Sequence, residues 1–311
     1  MKIARLAVAL LLYLAACHSR TVSPPLQWSA GTSDREVRVD GDTRSYIVHL
    51  PAATRRNRIG VAVSYPLVLV LHGSGADGET VQSQSGMDHL ADSLHFIVAY
   101  PNGTTALFGF GSDWNAGKCC GNAARSNVDD LAFLRGAVDD IAKHVAVDRR
   151  RVYVAGFSDG GRMAYRVACD AASMVAAIGV VAGSVVDDSC APSRPVPVIV
   201  FHGTADSEVP FAATPEATTA GPLLPAAAPP SVRFWATTDG CQRSTARRES
   251  PHVTRIQFNA CTGADVVFYS IDGGGHAWPG GRRDGDDGVQ PTTELNASAT
   301  MLRFFFRHPT R

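Results

Sequence analysis

Three polar residues stand where a nucleophile, a base and a supporting acid would be needed: Ser158, His276 and Asp206. Ser158 lies in Gly156-Phe157-Ser158-Asp159-Gly160, a GxSxG pattern between the apolar run "RVYVAG" and the helical-looking "RMAYRVACD". A β-rich run that enters a helix through small residues turns too sharply for most side chains, so the serine hydroxyl is expected to project above the turn. The N-terminus of the helix behind it offers N–H groups and partial positive charge to a developing oxyanion. Such a hydroxyl is a weak nucleophile until a base takes its proton. His276, in "DGGGHAWPGG", is the expected base, because glycines on both sides let the imidazole reach inward from a loop after "ADVVFYSI". His72 and His202 also end apolar runs, but each precedes a glycine in an HG turn that reads as structural. A carboxylate then fixes the imidazole tautomer and stabilises the imidazolium. Asp206, in "FHGTADSEVPF", is preferred over Asp187 and Asp188, since it follows a later strand and gives the chain order Ser, Asp, His.

An oxyanion hole needs two N–H donors, expected from Asp159 and from Ser74 in "HGSGAD". Trp278 and Trp114 are candidate walls of a substrate pocket. No metal or cofactor is expected: "RRDGDDG" at 282 to 288 does not match a calcium loop, and no second cysteine pair sits at zinc spacing.

These residues need strands to carry them. "PLVLVLHG", "FIVAYPNG", "RVYVAG", "AAIGVVAG" and "VPVIVFHG" are near-continuous apolar runs ending in glycine, the pattern of strands buried on both faces. Between them, Val128, Leu131, Leu134, Val138, Ile141 and Val145 recur at three- and four-residue steps, predicting a helix over 127 to 146 with Ser126 and Asp129 as a capping box. "REVRVDGDTRSYIVHLP" predicts a hairpin around Asp40-Gly41, and the last helix is expected in "TELNASATMLRFFFRH". The expectation is one α/β domain, residues 34 to 311, with a mostly parallel central sheet covered by helices on both faces. Residues 212 to 230, rich in Ala, Pro and Thr, read as the one long irregular segment, either a loop over the site or an excursion, with its length favouring a functional loop.

The 311 residues are 45% hydrophobic and 19% charged, which fits a globular protein with a sizeable core. With 29 basic and 29 acidic residues there is no basic block for nucleic acid, so none is expected as a partner. The N-terminus has Lys2 and Arg5 before an apolar run from Leu6 to Ala16, read as an export signal over residues 1 to 16. Leu14-Ala15-Ala16-Cys17 resembles the lipobox of bacterial lipoproteins, which implies cleavage before Cys17 and a lipid anchor holding the protein to the cell envelope; the alternative is an ordinary secretory signal with a stray cysteine, which would leave the protein secreted. Residues 17 to 33 then read as a tether. Removing Cys17 from seven cysteines leaves six, the number for three disulfides in an oxidising compartment. Cys241 and Cys261 are the first pair expected. Cys119 and Cys120 are expected to bond to Cys169 and Cys190, in either order, because neighbouring α-carbons lie closer than a disulfide prefers.

Taken together, "LVLVLHGSGADG", "AYPNGT", "DWNAGKCCG", "RVYVAGFSDGGRMAYRVAC", "VPVIVFHGTADSEVPF" and "GGGHAWPGG" resemble the secreted esterases known as polyhydroxybutyrate depolymerases, relatives of feruloyl and acetylxylan esterases in the α/β-hydrolase superfamily. The resemblance spans roughly residues 40 to 307 and implies an α/β-hydrolase fold. It also implies a triad of Ser158, Asp206 and His276 that works through an acyl-enzyme without cofactor. The paired cysteines at 119 and 120 fit the family. Where such elbows often read Ser-Asn-Gly-Gly, this one carries Asp159, whose carboxylate is expected to point away from the oxyanion. No linker or substrate-binding module is read after the catalytic part, which weakens the expectation of a solid polyester granule and leaves oligomeric or cell-wall esters as candidates. The expected function is an exported carboxylic-ester hydrolase for hydroxyalkanoate-type esters. The alternatives are a feruloyl or acetylxylan esterase, a serine peptidase, and a hydrolase-fold binding protein without activity.

Overall fold

The computed structural model describes residues 28–52, 64–105, 111–185, 189–211, 228–283 and 288–310. The export signal, Cys17, Asp187 and Asp188, and most of the 212 to 230 segment lie outside the described residues. Among the described residues no helix is long and apolar enough to cross a membrane.

A ten-stranded sheet organises the chain. Its centre is parallel: β4 (Ile97–Pro101), β3 (Tyr65–Leu71), β7 (Val147–Phe157), β8 (Ala177–Val181), β9 (Val198–Gly203) and β12 (Val266–Ile271) lie side by side in that order. Every residue of β3, β4, β8 and β9 is buried, which is why those runs carry no polar alternation. Antiparallel hairpins finish both sides: β1 (Gly31–Val39) with β2 (Asp42–Leu50), and β11 (Val253–Asn259) with β10 (Arg243–Ser250). A two-stranded ribbon, β5 (Thr104–Thr105) with β6 (Ser112–Asp113), stands apart.

Helices cover both faces. On one, α4 (Asp130–His144), α5 (Asp159–Asp170) and α6 (Pro230–Thr238) bury Leu134, Met163 and Trp235 against the sheet. On the other, α1 (Gly78–Ser85), α2 (Met87–Leu94) and α7 (Ala297–Phe305) bury Val81, Met87 and Met301. α3 (Gly121–Arg125) is a single short turn near the ribbon.

Three expectations need correction. The domain starts earlier than residue 34: β1 begins at Gly31, and the Trp28 ring stacks on His144 at 4.4 Å, so the end of the expected tether belongs to the fold. The helix expected over 127 to 146 spans Asp130–His144, with Asp129 alone as N-cap, accepting from the Ala132 N–H at 2.8 Å. Asn127 stands at φ 49°, which keeps Ser126 out of the helix. The disulfides are Cys119–Cys120, Cys169–Cys190 and Cys241–Cys261, so only the last pairing matches. The expectation for Cys119 and Cys120 rested on α-carbon spacing. Ring closure requires only that the two Sγ atoms converge, and they do so with the intervening peptide cis. Cys169 and Cys190 have α-carbons 5.0 Å apart, inside the usual disulfide range, and meet each other.

Candidate active site

Ser158 joins β7 to α5 with φ 54° and ψ −117°, a conformation that side chains avoid unless their surroundings enforce it. Its N–H donates to the Val181 carbonyl at 2.9 Å, and its carbonyl accepts from the Arg162 N–H at 3.0 Å, which pins the turn from both sides. The glycines of "GFSDGG" are there for close approach. A Cβ at Gly156 would overlap the Gly160 carbonyl, and one at Gly160 would overlap the Leu71 carbonyl at the end of β3. Gly160→Ala is therefore expected to lower stability by about 3 kcal/mol and to cut ester turnover by pushing the β3 end away from Ser158. An unchanged urea midpoint would contradict this packing.

The loop after β3 lies against the elbow. A Cβ at Gly73 would come 3.3 Å from Ser158 Cβ, so Ser74 follows directly beside the serine. Ser74 Oγ donates to Asp113 Oδ1 at 3.0 Å, and Asp113 Oδ2 accepts from the Asn122 N–H at 3.1 Å, tying this loop to α3. Trp114 is fully buried and donates from Nε1 to the His72 carbonyl at 3.0 Å. It braces the loop from behind.

His72 is also fully buried. Its Nδ1 donates to the Gly73 carbonyl at 2.7 Å and its Nε2 accepts the Gly103 N–H at 2.9 Å, two bonds that need the neutral ring. Burial pushes its pKa down to about 4, opposed only in part by the Gly73 carbonyl. The unfolded chain takes this proton near pH 6.5, so the stability contributed by neutral His72 is present above that pH. It is lost as pH falls toward 4, by up to about 3 kcal/mol. Asp239, pushed up to about 6 by burial, binds its proton in the folded state over the same range and acts in the opposite sense. The readable quantity is therefore the difference between parent and His72→Gln. The parent is expected to lose stability more steeply between pH 6.5 and 4 in urea unfolding, and parallel curves would refute the role given to His72.

Asp206 follows β9, and its side chain is wholly buried. Its Oδ2 accepts from His276 Nδ1 at 2.9 Å and faces His202 Nε2 at 3.3 Å. Its Oδ1 accepts the N–H groups of Glu208 and Val209, both at 2.9 Å. Burial alone would raise its pKa, but the hydrogen bonds from His202, His276 and Val209 overcome it and hold the carboxyl well below the usual range. His276, on the loop after β12, turns its ring over Phe157, the residue before Ser158, with centroids 4.7 Å apart. With Nδ1 committed to Asp206, Nε2 is the nitrogen left to face the serine.

Sequence reasoning left out two contributors. His202, read as structural, donates from Nε2 to the Val209 carbonyl at 2.8 Å and stands 3.3 Å from the same Asp206 oxygen that His276 binds. Arg162 binds Asp159 Oδ1 at 2.5 Å, so the carboxylate after the serine is turned into an ion pair along α5. The Asp159–Arg162 pair is signalled by its three-residue step on one helix, whereas His202 lies in β9 and meets Asp206 through the turn that follows the strand.

A cavity of about 200 Å3 opens beside His276, walled by Phe157, Trp278 and Val289 with Glu208, Gln84 and Arg282 at its polar side. Trp278 is itself buried and donates from Nε1 to Ser298 Oγ at 2.9 Å, so its indole is a fixed wall. Among the described residues one grouping could resemble a metal site, Cys119, Cys120 and Asp159. Its sulfurs are joined in a disulfide and its carboxylate is paired with Arg162, so it offers no thiolate to an ion.

The fold and the placement of a strained serine, a histidine and a buried aspartate beyond the carboxyl ends of parallel strands define an α/β-hydrolase of the serine esterase class. Comparison with known proteins agrees. Residues 44–205 match the esterase PHB depolymerase family, and the chain belongs to that family. It is 32% identical over 270 residues to the protein named "Putative esterase NocK" of Nocardia uniformis subsp. tsuyamanensis, covering 81% of this chain and 75% of that one. It is 31% identical over 230 residues to feruloyl esterase B of Piromyces equi, covering 71% of this chain but 41% of that enzyme. Among solved structures, a ferulic acid esterase of Anaeromyces mucronatus superposes with a TM-score of 0.54 at 15% identity, covering 90% of both chains. An acetyl xylan esterase from Aspergillus awamori gives 0.54 at 14% identity, covering 79% of this chain and 94% of that one. The fold is thus shared, and the chain is an esterase.

Proposed function

We propose that Ser158, His276 and Asp206 form the catalytic triad of an exported esterase that cleaves hydroxyalkanoate-type esters of compact acyl groups. The observation that carries this reading is the 2.9 Å bond from His276 Nδ1 to a buried Asp206, with the His276 ring against Phe157, the residue before a serine held in a strained elbow. His276 Nε2 takes the Ser158 proton as Oγ attacks the ester carbonyl. The N–H groups of Asp159 and Ser74 hold the oxyanion. The tetrahedral adduct collapses, the alcohol leaves with the proton from His276, and a water activated by the same nitrogen releases the acid and restores the serine.

The 200 Å3 cavity supports a short acyl chain. A second reading, a feruloyl or acetylated cell-wall ester, is favoured by the aromatic wall of Phe157 and Trp278 and by the names of several relatives. A panel of hydroxybutyrate oligomers, methyl ferulate and acetylated xylo-oligosaccharides, compared by kcat/KM, separates the two. Preference for hydroxybutyrate supports the first reading, preference for ferulate or acetyl the second, and a folded protein inert on all three would remove both.

Export is supported by the charged and apolar N-terminus and by three disulfides, which persist in an oxidising compartment. A lipid anchor at Cys17 predicts that cells fed a labelled fatty acid mark the parent in the membrane fraction, whereas Cys17→Ser stays unlabelled. Equal labelling of both would exclude this anchor.

A further inference from the structure

On the sheet face packed by α7, at the end remote from the triad, three guanidinium groups surround a cavity of about 310 Å3: Arg255 of β11 and Arg303 and Arg307 on and just after α7. Ile199 and Val267 lie at the amino-terminal ends of β9 and β12, and they and Phe304 make its apolar floor, with Tyr269 and Thr300 as polar neighbours. Glu249 is the one carboxylate on its wall. Among the described residues none of these three arginines forms an ion pair. Arg255 instead donates to Gln257 Oε1, and Arg303 donates to Thr300 Oγ1 at 2.9 Å.

The strand register sharpens the imbalance. Arg247 of β10 stands directly opposite Arg255 of β11, and Arg255 directly opposite Tyr269 of β12. Like charges in such a cross-strand pair disfavour the sheet. Glu249 relieves this weakly, 3.8 Å from Arg247 Nε with both side chains open to water. Burial pushes the Tyr269 hydroxyl pKa up and Glu249 adds to that rise, while Arg255, which also hydrogen-bonds the hydroxyl, and Arg303 act against it. An apolar floor beneath unpaired guanidinium forks has the chemistry for an oxyanion on a compact body, since the fork matches carboxylate and phosphate in bidentate fashion.

We propose that this cavity binds a carboxylate or phosphate carried on a molecule about the size of one sugar, at a site separate from the ester-cleaving residues. The test is titration calorimetry at low ionic strength with sodium glucuronate and glucose 6-phosphate as probes and glucose as the neutral control. The parent is expected to bind at least one anion saturably and glucose not at all. The stronger of the two anions identifies whether carboxylate or phosphate is the natural group. The double variant Arg303→Gln, Arg307→Gln is expected to bind about 10-fold or more weaker. Glu249→Gln, which removes the carboxylate from the wall, is expected to bind tighter. Unchanged melting temperature and p-nitrophenyl acetate turnover would show that the variants are folded, because none of these residues touches the triad. No saturable binding of either anion to the parent, or binding that the double arginine variant leaves within about twofold, would overturn the proposal.

Discussion

Ser158→Ala is expected to lower kcat on a p-nitrophenyl acyl ester by about 10^5- to 10^6-fold while leaving the melting temperature close to that of the parent. The hydroxyl is the one atom removed, and the backbone bonds that hold the elbow, to Val181 and from Arg162, do not involve it. What remains would come from the oxyanion donors and from binding, so KM should move little. Electrospray mass spectrometry after treatment with a fluorophosphonate gives a second readout: the parent should gain one adduct and the variant none. Turnover within tenfold of the parent would mean that another group attacks the ester, and the assignment of the site would fall.

Asp206→Asn should cost about 10^4-fold in kcat, for a different reason. The carboxylate accepts on both oxygens: Oδ2 faces His276 and His202, and Oδ1 faces two backbone N–H groups. An amide has only one accepting end. Either its NH2 confronts the two imidazoles and His276 adopts the wrong tautomer, or it confronts the Glu208 and Val209 N–H groups and the turn loosens. Each choice leaves buried donors unmatched, so a stability loss of about 1 to 3 kcal/mol should accompany the kinetic loss. In the parent the depressed carboxyl contributes stability above the unfolded carboxylate range and loses it only as pH falls through its low folded value. It therefore stays charged wherever His276 works as a base. A variant with normal kcat and an unchanged urea midpoint would exclude Asp206 from the triad.

Much of this site could be read from the chain because its parts are local. The elbow is five consecutive residues between a buried run and a helix, and Gly160 is explained by a neighbouring carbonyl that any sharp strand-to-helix turn would bring close. Asp206 and His276 follow strands recognisable by their unbroken apolar runs, and the order of those strands fixes which ends lie together. What failed depended on torsion angles or on distant partners. Residue types do not disclose that Asn127 takes a positive φ and delays α4, nor that the Cys119 and Cys120 sulfurs turn toward each other. An aromatic residue near a site reads as packing or as a pocket wall, and the bond from the Trp114 indole N–H to the His72 carbonyl is visible only in the structure. The clamp on Asp206 by His202 is not legible in the chain, because an HG turn at a strand end gives no reason to aim the ring at the acid.

Among the described residues the sheet ends in β1 on one side and β10 on the other. A free strand edge is a template on which another chain can add, and long flat edges invite aggregation. Here β1 carries Asp34, Arg35, Glu36 and Arg38, and β10 carries Arg243, Arg247, Arg248 and Glu249. Two β10 edges brought together would stack arginine against arginine, and each β1 edge would have to strip water from four charges to pair. The charges along both borders thus disfavour growth of the sheet by edge-to-edge pairing, at sides distinct from the strand ends where the proposed triad lies.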